Sequence, residues 1–160
     1  MKEKTEKRAG KEDKLMVAVN KKARHNYEIL DRYEAGIVLT GTEVKSLRAK
    51  KCNIEDGYAT FEPKYSLELI LINLHIQEYA FGNRENHIPK RKRKLLLHKR
   101  ELIQLKRYAE QQGLTIIPLS IYFTHGIAKV ELAVAKGRKE YDKREFIKRE
   151  EMKREMRRGE

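Results

Sequence analysis

Apolar positions cluster in the middle of this chain and change period along it. Up to Lys14, lysine and glutamate alternate with few apolar residues, a composition that cannot offset the entropy of ordering, so residues 1–14 read as a disordered arm. Small apolar residues first gather at Leu15-Met16-Val17-Ala18-Val19, where order is expected to begin. Tyr27–Leu30 and Tyr33–Thr40 predict strands, the second bracketed by Gly36 and Gly41, since glycine in a strand marks a bulge or a tight barrel bend. Thr42-Glu43 predicts the start of a short helix. Thr42 caps it, Glu43 suits its positive end, Arg48, Lys50 and Lys51 suit its negative end, and Val44 and Leu47 share the inward face. The cap is partial, because Lys45 rather than glutamate stands three residues after Thr42.

Tyr58–Phe61 and Leu67–Leu74 predict two further strands. A loop with Gly82, Asn83, Asn86 and Pro89 then leads into the basic run Lys90–Lys94. A helix is expected from Lys99 to Gln112, with Leu102, Ile103, Leu105 and Ala109 on one side and Gly113 as a left-handed stop. The alternating runs Thr115–Phe123 and Ile127–Val134 predict the last strands, joined by a hairpin at Thr124-His125-Gly126. The set predicts a mainly β protein: an OB-fold-like small antiparallel barrel of about six strands with flanking helices. A flat sheet with helices on one face satisfies the same pattern.

The barrel is expected to span residues 15–135 and to leave residues 136–160 as a basic tail. Glu140 with Arg144, Glu145 with Arg149 and Glu150 with Arg154 are correctly oriented helical pairs, together worth roughly 1 kcal/mol. Nucleating a helix costs more than that, with a nucleation constant on the order of 10⁻³. Tyr141, Phe146, Ile147, Met152 and Met156 form no continuous apolar stripe. The tail is therefore expected to be disordered in isolation and helical only when bound to a polyanionic surface.

Charge narrows the function. The 160 residues carry 37 basic and 24 acidic side chains, a formal net charge of +13, which favours a polyanionic partner and salt-sensitive association. The single cysteine, Cys52, rules out an internal disulfide and fits a reducing cytosol. Met1–Lys14 has no apolar core and does not read as a signal peptide. Leu67–Leu74, the most apolar run, is far shorter than the ~20 residues of a membrane helix. Two clusters, Lys21-Lys22-Ala23-Arg24-His25 and Lys90–Lys94, lie at the edges of elements, where long cations reach a phosphate backbone.

Little in the chain points to catalysis. None of the five histidines has the spacing of a zinc helix, and Cys52 lacks a nearby cysteine. Gly36 and Gly41 are spaced as in a phosphate loop, but Thr42-Glu43 stands where that loop carries its lysine. The carboxylates are mixed with cations on solvated stretches, and none is set apart as an acid–base pair.

Several segments resemble the SsrA-binding protein family, also called small protein B. They are Asn20-Lys21-Lys22-Ala23-Arg24-His25, Tyr33-Glu34-Ala35-Gly36, Gly41-Thr42-Glu43-Val44-Lys45-Ser46-Leu47-Arg48, Arg93-Lys94-Leu95-Leu96-Leu97, and Ala135-Lys136-Gly137-Arg138-Lys139 with Asp142-Lys143-Arg144. The likeness runs in unbroken order from about Leu15 to Arg149. It implies a cytoplasmic RNA-binding adaptor of trans-translation, monomeric, without a cofactor and not an enzyme. Such a protein binds the tRNA-like domain of tmRNA and delivers it, with elongation factor Tu and GTP, to stalled ribosomes. Its tail probes the empty mRNA channel.

By this resemblance, Asn20, Glu34 and Leu96 bind the tRNA-like RNA, and Lys21, Arg24, Lys45, Arg48 and Lys94 contact its backbone. His25 meets the small-subunit decoding centre, and Lys136, Arg138, Lys139, Asp142, Lys143 and Arg144 form the tail motif. Glu34 suits a base amino group or a 2′-hydroxyl rather than a phosphate; the plain alternative is a surface ion pair with Arg32 or Arg48. Leu96, read without the family, belongs in the core. The chain departs from many relatives at Tyr122-Phe123, where tryptophan often follows the tyrosine, in its less basic hairpin, and at Glu140. A general structured-RNA-binding or ribosome-associated factor is the alternative, and a nuclease the rival of another class.

Overall fold

The computed structural model describes residues 14–159, apart from the side chains of Asn83, Glu140, Tyr141 and Asp142. The arm expected over residues 1–14 therefore lies, up to position 13, outside the described residues. In chain order the elements are β1 (Leu15–Val19), α1 (Ala23–Asn26), β2 (Tyr27–Ile37), α2 (Gly41–Arg48), β3 (Cys52–Asn53), β4 (Tyr58–Phe61), β5 (Leu69–Ile72), β6 (His75–Ile76), β7 (Arg93–Leu96), α3 (Lys99–Ala109), β8 (Leu114–Thr124), β9 (Ile127–Gly137) and α4 (Glu140–Arg158).

Six strands close a ring in the order β8-β4-β5-β7-β2-β9 and back to β8, every pairing antiparallel. Closure removes the open edges that a flat sheet would leave. β1 pairs with β8 outside the ring, and β3 pairs with β6 as a separate two-stranded ladder. The ring encloses a core that includes Leu47, Leu69, Leu71, Leu95, Leu105, Ile116, Ile121, Val130 and Leu132. The hairpin between β8 and β9 turns on His125 and Gly126, with φ of 50° and 76°. Two central residues of positive φ are what a two-residue hairpin loop requires.

The six ring strands are not the six that the pattern predicts. Tyr27–Leu30 and Tyr33–Thr40 are two parts of one strand, β2, with a register shift against β9 between Ile29 and Asp31. The sixth member is β7, concealed in the basic run because its inward position is held by Arg93, fully buried, next to Leu95. Helix α3 ends at Ala109, and its inward positions are Leu102, Leu105 and Tyr108; Ile103 and Ala109 face solvent. Gly113 is left-handed, φ +83°, as expected of a stop residue.

Helix α2 begins two residues earlier than a cap at Thr42 would set it. Thr40 is its N-cap, and the Thr40 amide donates to Glu43 Oε1 at 2.8 Å, so Glu43 supplies the return half of a capping box. Glu43 is fully buried and does more than cap. It accepts from Arg91 Nη2 at 2.6 Å and from Arg93 Nε. Arg93 in turn donates to the Leu74 carbonyl at 2.6 Å and the Pro89 carbonyl at 3.0 Å. Burial pushes the Glu43 carboxyl up, but the bonds from Arg91, the Thr40 amide and Arg93 outweigh it and hold its pKa below the usual 4.5.

The last strand also runs longer than its alternation predicts. β9 runs on to Gly137, which pairs with Tyr27, so Lys136 belongs to the barrel ladder rather than to the tail. Glu140–Arg158 then form a 19-residue helix. Its first turns are docked: the Phe146 ring meets the edge of His25 at 5.6 Å, and the Arg138 guanidinium lies 4.6 Å over Phe146. A docked first turn meets the nucleation cost that the charge pairs alone do not.

Glu43→Gln leaves two arginines facing an uncharged amide and is expected to cost about 3 kcal/mol or more in urea unfolding. The carboxyl's lowered pKa makes its contribution complete above the unfolded value of 4.5 and lost as pH falls through the folded one. Acid unfolding of the wild type should therefore be steeper than that of the glutamine variant. A loss below about 1 kcal/mol, or parallel acid curves, contradicts this role.

Candidate nucleic-acid interface

In an antiparallel ladder directly paired residues share a face, and residues two apart on one strand do so too. Gly36 pairs with Leu96 of β7 and with Lys129 of β9; Glu34 pairs with Glu131; Tyr122 pairs with Lys129 and Ser120 with Glu131. Arg32, Glu34, Lys94, Leu96, Lys129, Glu131, Ser120 and Tyr122 therefore lie on one outer face spanning β7, β2, β9 and β8. Leu96 is 52% exposed while Leu95 is buried, so the alternation sends the middle leucine of the run outward, against the reading without the family. Lys94, on the same face, pairs with Glu68 at 3.6 Å.

Glu34 and Glu131 stand directly opposite each other, which is unfavourable for like charges unless each has a partner. Each has one. Arg32 Nη1 donates to Glu131 Oε1 and Ser120 Oγ to Glu131 Oε2, both at 3.3 Å. Glu34 takes neither of the arginines suggested for it; its Oε2 accepts from the Tyr122 hydroxyl. Tyr122 is buried, and burial followed by the bond to Glu34 pushes its phenol well above the usual range, so it remains a donor at any ordinary pH. The Lys14 ammonium lies 4.6 Å over the Tyr122 ring. The face thus presents an oriented, exposed carboxylate opposite Glu131, with Arg32, Lys94 and Lys129 on the same face.

Asn20, Lys21 and Arg24 come together with Arg32, Ser120 and Glu131 around one groove of about 300 Å³ beside this face. Lys21 and Arg24 are exposed, whereas Asn20 is only 8% exposed. Asn20 Nδ2 donates to the Pro118 carbonyl at 3.0 Å, and its amide donates to the Leu119 carbonyl at 2.8 Å. It ties the start of α1 to β8. Arg48 lies 4.8 Å over the Phe123 ring in a neighbouring groove that it shares with Lys14. Lys45 lies elsewhere, 5.4 Å over Tyr79.

The run Lys90–Lys94 is not the uniform phosphate contact that its composition suggests. Arg91 and Arg93 are committed to Glu43, and Lys92 pairs with Glu62 at 3.1 Å. At the other cluster, His25 is half-buried against Phe146. Arg138, expected in the tail motif, is the tail's anchor: its amide donates to the Asn26 carbonyl at 2.8 Å, and its Nε to the carbonyls of Arg24 at 3.2 Å and Tyr27 at 3.3 Å. Lys136, Arg138 and Lys139 line a groove with Glu28, Phe146 and Arg149. Lys143 and Arg144 lie in the first turns of α4, and the Asp142 side chain lies outside the described residues. Tyr122 and Glu131 as neighbours of Glu34 escape the sequence, because Tyr122 and Glu34 are 88 positions apart and only the order of strands joins them.

Residues 17–160 match the model of the SmpB protein family. The chain belongs to the SmpB family. The SsrA-binding protein of Acidothermus cellulolyticus is 57% identical over 129 residues, 81% of this chain and 79% of that one. The SsrA-binding protein of Limosilactobacillus fermentum is 53% identical over 132 residues, 82% of each chain. A chain in a solved structure described as "tmRNA-SmpB: a journey to the center of the bacterial ribosome" shares 50% identity and a TM-score of 0.66, over 81% of this chain and 93% of that one.

In this SmpB chain the departure at Phe123 falls in the core, where the ring is 4% exposed beneath Arg48, while Tyr122 keeps its place under Glu34. Burial pushes the Cys52 thiol up to about 11, which leaves it protonated and unreactive at neutral pH. Among the described residues no group of three or more His, Cys, Asp or Glu is placed to hold a metal ion, and no helix is long and apolar enough to cross a membrane.

Phe146→Ala removes the ring shared by His25 and Arg138. Amide hydrogen exchange across 140–158 should become markedly faster, with exchange in β8 and β9 unchanged. Unaltered protection in the tail contradicts docking as the origin of its helix.

Proposed function

We propose that this protein is the RNA-binding adaptor of trans-translation, binding the tRNA-like domain of tmRNA and bringing it to stalled ribosomes. The observation that carries the reading is Glu34, an exposed carboxylate held by Tyr122 on the outer face that also carries Lys94, Leu96 and Lys129, in a chain of the SmpB family. Phosphates repel a carboxylate, so this group earns its position only against a donor such as a base amino group or a 2′-hydroxyl. Lys21, Arg24 and Lys94 supply attraction around it, and Leu96 supplies an apolar contact on the same face. Arg48, one groove away, extends the cationic surface, with Lys45 farther round α2. Asn20 sets the position of the segment that carries Lys21 and Arg24.

The protein acts as an adaptor rather than an enzyme, and it works in the cytoplasm, where ribosomes translate. Elongation factor Tu with GTP accompanies the delivered RNA. His25 meets the small-subunit decoding centre. Lys136 at the end of β9 and the tail, through Arg138, Lys139, Asp142, Lys143 and Arg144, probe the empty mRNA channel. Arg138 serves this role from the root, by fixing where α4 leaves the barrel.

Binding to tmRNA against an unrelated structured RNA of equal length, over a salt series, tests the reading. Preference for tmRNA should survive at high salt, since contacts beyond phosphate neutralisation do not scale with counterion release. Equal binding that collapses with salt would reduce the protein to a general structured-RNA-binding factor. Glu34→Ala should weaken tmRNA binding by about tenfold or more, the scale of a hydrogen bond to a charged group, and Leu96→Asp should weaken it as well. Wild-type affinity in a folded variant removes that residue from the interface.

Deleting residues 138–160 leaves the β9 ladder whole, because its last pair is Gly137 with Tyr27. RNA affinity should stay within about twofold while rescue of stalled ribosomes is abolished. Equal rescue by the truncated protein would make the tail merely solubilising.

A further inference from the structure

The groove between the start of α2 and the loop over residues 79–86 is separate from the residues built around Glu34. It is lined by Thr42, Lys45, Tyr79, Phe81, Arg84 and Glu85 among others and has a volume of about 1020 Å³. Phe81 stands at its edge with 79% of its surface exposed. An aromatic ring so exposed is common on a loose loop, but this loop is held at several points. The Asn86 side chain imitates a strand neighbour: its Oδ1 accepts from the Tyr79 amide at 3.0 Å, and its Nδ2 donates to the Tyr79 carbonyl at 2.7 Å. A Cβ at Gly82 would come within 2.7 Å of Asn86 Nδ2, so the loop closes this tightly only with glycine there.

His87, next in the chain, is buried. Its Nε2 donates to the Ile76 carbonyl at 2.9 Å, which leaves Nδ1 to accept from the Thr42 hydroxyl at 2.9 Å. The loop is thus fastened to both β6 and α2. The ring of Tyr79 meets Phe81 edge-on, with centroids 5.6 Å apart and planes at 70°, and the Lys45 ammonium sits over Tyr79 at 5.4 Å. The fold therefore spends several specific contacts on holding Phe81 outward, beside a cation already seated on the supporting ring.

We infer that this groove is a second RNA subsite that takes one unpaired nucleotide, its base stacked on Phe81 and its phosphate between Lys45 and Arg84. The inference rests on the RNA-binding reading above and adds a different kind of contact to it. Glu34 accepts a hydrogen bond from a chosen donor; Phe81 offers a flat apolar surface that any base can use. Charge complementarity selects the occupant, since an exposed ring flanked by lysine and arginine fits a base attached to a phosphate. Glu85 at the rim accepts from a base amino group and turns away a second phosphate. Tyr79 supports the platform from below, with Lys45 over its ring.

The test uses the full-length protein and the tRNA-like domain of tmRNA, with 2-aminopurine replacing one unpaired purine at a time. At saturating wild-type protein one position should change fluorescence as its base moves onto Phe81. Phe81→Leu keeps an apolar side chain but loses the π-face. It should abolish that signal and weaken binding by about fivefold or more, the lower end of base–aromatic stacking, with the thermal midpoint unchanged. Phe81→Trp should restore both. Glu34→Ala should weaken binding but keep the signal at saturation. Tight wild-type binding with no responsive position, or a Phe81→Leu variant with wild-type affinity, overturns the subsite alone. Failure of the wild type to prefer tmRNA overturns the functional reading and the subsite together.

Discussion

The ion cluster of Glu43 with Arg91 and Arg93 is the constraint on which the rest of the molecule depends. A fully buried carboxylate and a fully buried guanidinium persist only when every polar atom is matched, because desolvation otherwise exceeds the attraction between them. Here the matching reaches in several directions: to the Thr40 amide at the head of α2, to β7, and to the carbonyls of Leu74 and Pro89 on either side of a long excursion of the chain. One cluster thereby sets where α2 lies, where β7 enters the ring, and how the segment between residues 74 and 89 is pinned. Lys45, Arg48, Leu96 and the loop carrying Phe81 all hang from elements that it joins.

Outside the core the same economy of placement recurs in polar form. The closed ring puts β2, β9 and β8 side by side, and their outer positions bring together two glutamates, an arginine, a serine and a tyrosine from distant parts of the sequence. Each carboxylate of the facing pair is committed to its own donor, so the repulsion between them is offset and their orientation is defined. That definition matters for recognition. A cation on a flexible stem attracts RNA of any sequence, whereas a carboxylate held at one oxygen presents the other in a fixed direction. The surface combines both kinds of group.

Much of this was legible in the chain. Alternation in Thr115–Phe123 and Ile127–Val134 located β8 and β9, Gly113 marked the stop after α3, and the charge balance pointed to a polyanion. What was not legible has physical causes. β7 was hidden because arginine occupies its inward position, and a buried arginine looks like any other until its carboxylate is found 50 positions away. β2 looked like two strands because Asp31-Arg32 interrupts the apolar positions at the register shift. Thr42 looked like the cap because it precedes Glu43, but the cap lies three residues before its glutamate, which makes it Thr40. Tyr122 and Glu131 were not recognisable as neighbours of Glu34, since strand order rather than spacing makes them so. The burial of Asn20 and the anchoring of Arg138 likewise depend on carbonyls that no pattern announces.

Arg138 also bears on how far the tail can reach. A free coil of the same length would explore a broad cloud, with its tip seldom far from the barrel. A helix of 19 residues held at its root is a rod of roughly 28 Å. Three carbonyls in and just after α1 fix that root, so the direction of the rod follows the same short helix that carries His25. The far end of such a rod is aimed before it meets anything, whereas the tip of a coil must be found by diffusion. The tail is then less a tether than a pointer, whose bearing is set where it leaves the barrel.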